Sequence, residues 1–252
     1  FSSAMANVLA RLGVEANQAK NYIKPSLRDL MPNPLKILDM EKAASRVNIA
    51  VNNHERIAIF ADYDVDGATS GALLHDWLTQ LGNIPTLYVP DRIEEGYGPN
   101  IEAMETLANV HDLIICVDCG TLSHETINKI TNTDIIILDH HLGGETLPNA
   151  YAVVNPNRQD EKGDLYYLCA AGVVFLTLVA ANSIRRNNNK STPDLLNMLD
   201  LVALGTVADV APLVGFNRAL VRQGLKVMAK RERIGITALS DIAKMNNAPS
   251  PY

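Results

Sequence analysis

The chain has 252 residues, 47% of them hydrophobic and 20% charged, with 22 basic side chains against 28 acidic ones and a formal net charge of −6. That balance suits a buried core and excludes disorder, collagen and coiled coil as the main architecture, and no uncharged apolar run reaches the roughly 18 residues of a membrane span. The acidity alone argues against a general phosphate-backbone binder, unless some of the acids hold divalent cations that reverse the local charge.

In chain order, residues 3–22 read as helical with a stop near Gly13, and Leu30-Met-Pro-Asn-Pro34 is a turn-rich connection. Asp39 is expected to cap a helix whose apolar positions Met40, Ala43, Ala44, Val47 and Val51 follow a helical period. Arg56-Ile-Ala-Ile-Phe-Ala61 then reads as a short strand, followed by an amphipathic helix from Gly67 to Leu81. Further strands are expected at 86–89, 112–117, 134–138 and 152–154, with helices at 100–109 and 123–131 between them. Short apolar strands alternating with helices imply an α/β fold, a parallel β-sheet flanked by helices. From Cys169 onward the pattern is helical, over 169–186, 194–208, 217–231 and 236–245, which gives the domain a helical C-terminal portion. The expected organisation is a helical lead-in (1–54), an α/β domain (55–231) and the start of a helical connector (232–252).

Acids and histidines fall where the strands end. Asp62, Asp64 and Asp66 follow the first strand, Asp118 the third, and Asp139-His140-His141 the fourth. In a parallel sheet all strand C-termini share one edge, so these residues converge on one crevice, and Asp209 at a helix end could close it. Carboxylates crowded together repel, and divalent cations resolve the repulsion. Mostly oxygen donors with one or two imidazoles suit Mn²⁺ or Mg²⁺ better than a thiolate-bound zinc, and two such ions suit in-line attack on phosphorus. In an extended segment His140 and His141 point to opposite sides, so one is expected as a ligand and the other is freer to meet substrate.

Blander patterns are set aside on stated grounds. Asp62-x-Asp64-x-Asp66-Gly67 imitates a calcium loop, but the twelfth position is Leu73 rather than Glu. Cys116-x-x-Cys119 has no second pair and lies in an apolar strand, so neither redox nor zinc chemistry is expected there. With only three cysteines a reducing compartment is expected, and FSSAMANVLA lacks a basic leader before an apolar core. His54, His75, His111 and His124 are expected to be structural.

Asp62-Tyr-Asp-Val-Asp-Gly67, Val117-Asp-Cys-Gly120 and Asp139-His-His141 together resemble the successive motifs of the DHH phosphoesterase superfamily. Pro90-Asp-Arg-Ile-Glu-Glu-Gly-Tyr-Gly98, Asn155-Pro-Asn157, Leu168-Cys-Ala-Ala-Gly-Val-Val-Phe175, Ala203-Leu-Gly-Thr-Val-Ala-Asp-Val-Ala-Pro-Leu213 and Asn217-Arg218 are similar to the RecJ-type exonucleases within it. The resemblance implies a single-stranded DNA 5′→3′ exonuclease that releases 5′-mononucleotides by two-metal hydrolysis in DNA recombination and repair. It implies that Asp62 and Asp118 hold one ion, and that Asp64, Asp118, His140 and Asp209 hold the other. It gives His141 the scissile phosphate or the leaving group, gives Asp139 the orientation of a neighbouring imidazole, and leaves Asp66 as a water-mediated ligand or a helix N-cap. Arg92, Tyr97 and Arg218 are the candidate nucleic-acid contacts, Tyr97 by stacking on a base. It further implies a cytoplasmic monomer with a single-strand-binding protein and a repair helicase as partners. RecJ-type enzymes continue into a DHH-associated domain and an oligonucleotide-binding fold, which this sequence does not contain, so it reads as a fragment of a longer chain. The alternatives are a DHH phosphodiesterase acting on short oligonucleotides, cyclic dinucleotides or pyrophosphate, and an inactive scaffold in a replication or repair complex.

Overall fold

The computed structural model describes residues 2–245 and 247–249; Phe1 of the expected lead-in, and Asn246 and residues 250–252 of the expected connector, lie outside them. Four helices lead in, α1 (Ser3–Arg11), α2 (Ala19–Ile23), α3 (Leu27–Leu30) and α4 (Met40–Asn52). The first stops at Gly13, whose φ of 70° is the left-handed turn that glycine favours. Asp39 stands before α4 as expected, but its side chain makes no cap. Its carboxylate instead accepts from Val153 N and Arg158 Nη1, both at 3.0 Å, because a left-handed φ of 60° turns it toward a neighbouring strand.

The α/β body follows as β1 (Ile57–Ala61), α5 (Val65–Gln80), β2 (Thr86–Tyr88), α6 (Ile101–Ala108), β3 (Leu113–Val117), α7 (His124–Lys129), β4 (Asp134–Leu138) and β5 (Ala152–Val154). All pairings are parallel, in the order β2-β1-β3-β4-β5. Strand side chains alternate between two cores, as a period of two requires. Ile57, Ile59, Leu113, Ile115 and Leu138 face one core, while Ala58, Phe60, Ile114, Cys116 and Ile137 face the other, against α6 and α7. Cover on both faces is why these strands read as unbroken apolar runs.

The first core is closed by α8 (Ala170–Asn187), α9 (Leu199–Ala208) and α10 (Gly215–Met228), and α11 (Ile234–Ile242) follows with none of its residues buried. Expected helix 194–208 divides into a 3₁₀ turn (Leu195–Met198) and α9. Two glycines bring α9 into place. A Cβ on Gly205 would lie 2.5 Å from Thr69 Oγ1 of α5, and one on Gly224 would lie 2.2 Å from Leu199 O. No helix of the described residues is long and apolar enough to cross a membrane.

Candidate metal centre at the carboxyl edge of the sheet

Strand register builds the site. Ala61, Val117, Leu138 and Val154 form one row across β1, β3, β4 and β5, and the residues after them are Asp62, Asp118, Asp139 and Asn155. The ladder runs one step past the strands, with Asp62 N donating to Val117 O (3.2 Å), Asp118 N to Leu138 O (2.9 Å) and Asp139 N to Val154 O (3.1 Å). Four polar residues therefore stand side by side on one edge. Sheet order reverses between β1 and β3, so the crevice there lies at the topological switch point where open α/β sheets bind ligands.

Helix α5 begins inside the acidic run. Asp64 is its N-cap and accepts from Gly67 N at 2.9 Å, so the helix starts at Val65 rather than Gly67 and Asp66 is not the cap. Gly67 cannot be replaced without displacement, since a Cβ there would meet Asp62 O at 2.3 Å. Asp66, in the first turn of α5, is buried and accepts from Ala170 N (2.6 Å) and Ala171 N (3.0 Å). It thereby ties α5 to the positive end of α8.

The two imidazoles share one cluster, contrary to the expectation of opposite sides. The chain turns after β4, because Asp139 Oδ1 accepts from both His140 N (2.7 Å) and His141 N (3.2 Å), and the ring centroids come within 4.5 Å. His140 Nε2 lies 3.3 Å from Asp118 Oδ1 and 3.8 Å from Asp66, and its Nδ1 lies 3.9 Å from Asp209 at the end of α9. His141 Nδ1 meets Asp139 Oδ1 at 2.8 Å. Donor atoms able to share a cation fall into three overlapping groups, Asp62–Asp64–Asp118, Asp66–His140–Asp209 and Asp118–His140–His141. In these groups Asp66 stands beside His140 and Asp209, and Asp64 stands with Asp62 and Asp118.

The electrostatics have one dominant cause. Burial pushes the carboxyls of Asp62, Asp66, Asp118 and Asp209 up, with the charge of Asp64 adding to the effect on Asp62. Asp118 is driven furthest, to about 10, by burial and then by Asp66 and Asp64. Asp139 goes the other way. Burial pushes it up, but hydrogen bonds from His141 and Thr121 outweigh that and hold it at about 2. The same bond raises the His141 imidazole.

The site fits divalent cations. Asp62 Oδ1, Asp118 Oδ1 and His140 Nε2 are buried without hydrogen-bond partners, an arrangement that costs stability unless something positive satisfies them. Their donor set, oxygens with imidazole, is that of Mn²⁺ or Mg²⁺. Asp118 adopts a left-handed φ of 62°, which an aspartate tolerates better than most residues.

Sequence reasoning missed what holds the imidazoles. Asn155 is fully buried, and its Nδ2 donates to His141 O (2.8 Å) and Thr121 Oγ1 (2.9 Å), while Asn157 Nδ2 donates to His140 O. The signal was available in Asn155-Pro-Asn157, directly after an expected strand. Tyr97 is 58% exposed and stands beside the cluster. Its hydroxyl is 3.3 Å from both ring nitrogens of His141, and its ring packs edge-on against that imidazole and against Tyr63. Arg92 is exposed and lies over the Tyr63 ring at 5.3 Å. Arg218 lies over the Tyr22 ring at 4.2 Å, and its Nε donates to Tyr22 O. Among the described residues, Cys116, Cys119 and the other four histidines join no metal-capable group.

The chain is similar to known proteins along most of its length. The single-stranded-DNA-specific exonuclease RecJ of Escherichia coli (strain K12) is 37% identical over 251 residues, 95% of this chain and 43% of that protein. A crystal structure of exonuclease RecJ bound to manganese superposes with a TM-score of 0.74 at 33% identity, over 83% of this chain and 53% of that one. A structure of RecJ in complex with Mg²⁺ from Thermus thermophilus gives a TM-score of 0.61 at 29% identity, over 94% of this chain and 32% of that one. The chain therefore spans less than half the length of the curated relative it matches. A profile described as the DHH family, N-terminal domain, matches residues 56–206, and the chain belongs to the DHH family.

Proposed function

We propose that this chain carries the catalytic domain of a single-stranded DNA 5′→3′ exonuclease of RecJ type, which releases 5′-mononucleotides in DNA recombination and repair. The observation that carries the reading is the convergence of Asp62 Oδ1, Asp118 Oδ1 and His140 Nε2, all buried and unpartnered. Asp62, Asp64 and Asp118 would hold one divalent cation, and Asp66, His140 and Asp209 would hold a second, with Asp118 also grouped with His140 and His141. When bound, the two ions supply the charge that acidifies water and stabilises a phosphoryl group under attack.

The remaining steps belong to side chains. Water adds to phosphorus, the P–O3′ bond breaks, and the departing 3′ oxygen needs a proton. His141 supplies it, because Asp139 accepts from its Nδ1–H and favours the protonated ring. Tyr97, against the His141 ring, fixes how far that imidazole swings. Arg92, exposed above Tyr63, meets a backbone phosphate of the incoming strand. The cytoplasm, a monomeric state, and a single-strand-binding protein and repair helicase as partners complete this reading. The complete ligand set favours an enzyme over an inactive scaffold.

The test is Mn²⁺-dependent release of 5′-mononucleotides from a 5′-phosphorylated single strand of about 30 nucleotides. Turnover that EDTA abolishes supports the reading. Turnover confined to dinucleotides, cyclic dinucleotides or pyrophosphate contradicts it.

A further inference from the structure

The residues that border the cluster in sequence and face solvent are apolar. Leu142 directly follows His141 and is 80% exposed, and Val210 directly follows Asp209 and is 85% exposed. Among the described residues neither is covered by a neighbour. Val210 is also strained. It closes α9 with Ala211 N donating to Thr206 O at 3.1 Å, and its φ of 57° is the left-handed conformation that glycine fills at such helix ends. A β-branched residue is among the worst choices there, since both arms of its side chain crowd the backbone. Nothing among the described residues accounts for valine in this conformation, and the strain points to a contact beyond them.

The adjoining site says what that contact is. Phosphate is the group that a cation-loaded cluster would hold, and the apolar surface a nucleotide carries beyond its phosphate is the face of its base. Enzymes that handle single strands without sequence preference meet that face with apolar or aromatic groups instead of hydrogen-bond readers. We propose that Val210 and Leu142 receive the nucleobase of the nucleotide being released, gripping it by surface contact whatever its identity. This rests on the exonuclease reading above and adds to it the part of the substrate that each side chain touches.

The test compares a 5′-phosphorylated single strand with the same strand carrying an abasic tetrahydrofuran residue at its 5′ end. Both are given to the wild-type chain and to the Val210→Gly and Leu142→Ser variants with Mn²⁺. The wild type loses about fivefold in kcat/KM when the terminal base is removed, the effect of uncovering about 40 Å² of apolar surface. Each variant shows a loss on the intact strand and a smaller further loss on the abasic one, because the contact is already gone. Val210→Gly also raises the melting temperature, which separates the loss from any damage to the fold. Variants that match the wild type on the intact strand, or that keep the full abasic penalty, overturn this inference alone. A wild type that degrades neither strand overturns the exonuclease reading and this inference with it.

Discussion

His140 Nε2 stands 3.3 Å from Asp118 Oδ1, and both atoms are buried with no hydrogen bond to satisfy them. Around this pair lie Asp62, Asp66 and Asp209, each with its carboxyl pushed up by burial. A carboxyl raised in the folded state is stabilising while protonated, and that stability is lost as pH rises above its unfolded value near 4. Metal-free chain in EDTA is therefore expected to melt progressively lower from pH 5 to pH 8. At pH 8, Mn²⁺ at about 100 times its Kd restores about 2.7 kcal/mol, or roughly 5–10 °C. Calorimetry with and without the ion checks both parts.

Asp118→Asn removes the charge shared between the two donor groups but keeps a side chain that accepts the left-handed φ of 62°. Turnover is expected to fall at least a thousandfold, roughly the loss of about 4 kcal/mol of transition-state stabilisation. In EDTA at pH 8 the variant is expected to melt no lower than wild type, since it relieves repulsion. Asp118→Ala is the poorer probe, because alanine in this conformation costs roughly 1–2 kcal/mol on its own. Near-normal activity of Asp118→Asn would refute the shared role.

Gly67→Ala tests the close approach of α5 to β1. Its Cβ would lie 2.3 Å from the carbonyl oxygen of Asp62, a backbone atom with little room to move. A loss of about 3 kcal/mol in urea unfolding is expected, with activity falling because Asp62 and Asp64 shift together. An unchanged midpoint would show that the turn is looser than described.

Asn155→Ala removes the two donors that hold His141 O and Thr121 Oγ1. A stability loss of about 1–3 kcal/mol is expected from the unpaired groups, along with a kcat drop of about tenfold or more while KM changes little. Asn155→Ser, able to keep one bond, is expected to recover part of the kcat. Equal losses in both variants would argue for packing alone.

All three cysteines are buried and free, and burial pushes their thiols upward. Native chain should resist a thiol reagent at pH 8, and three thiols should titrate after denaturation. Rapid labelling of Cys116 or Cys119 in the native state would reopen the redox reading of that pair.

Much of this was legible in the residues because parallel strands buried on both faces announce themselves as apolar runs ending in polar residues. Asp62, Asp118, Asp139 and His140 could be placed on one edge from that pattern alone. What could not be read depends on backbone turns that periodicity does not encode. The Asp139 carboxylate caps the two amides after it and swings both imidazoles to one side. Asp64, three residues after its strand, becomes a helix cap and leaves Asp66 to face His140. The contact of Arg218 with Tyr22 could not be read, since the two lie 196 residues apart in sequence.

The most direct measurement is anomalous scattering from a crystal of the chain soaked in Mn²⁺. Two peaks flanking Asp118 are predicted, one against Asp62 and Asp64, the other against Asp66, His140 and Asp209. No peak at this edge of the sheet, or the same side chains turned outward to bulk water, would contradict the account.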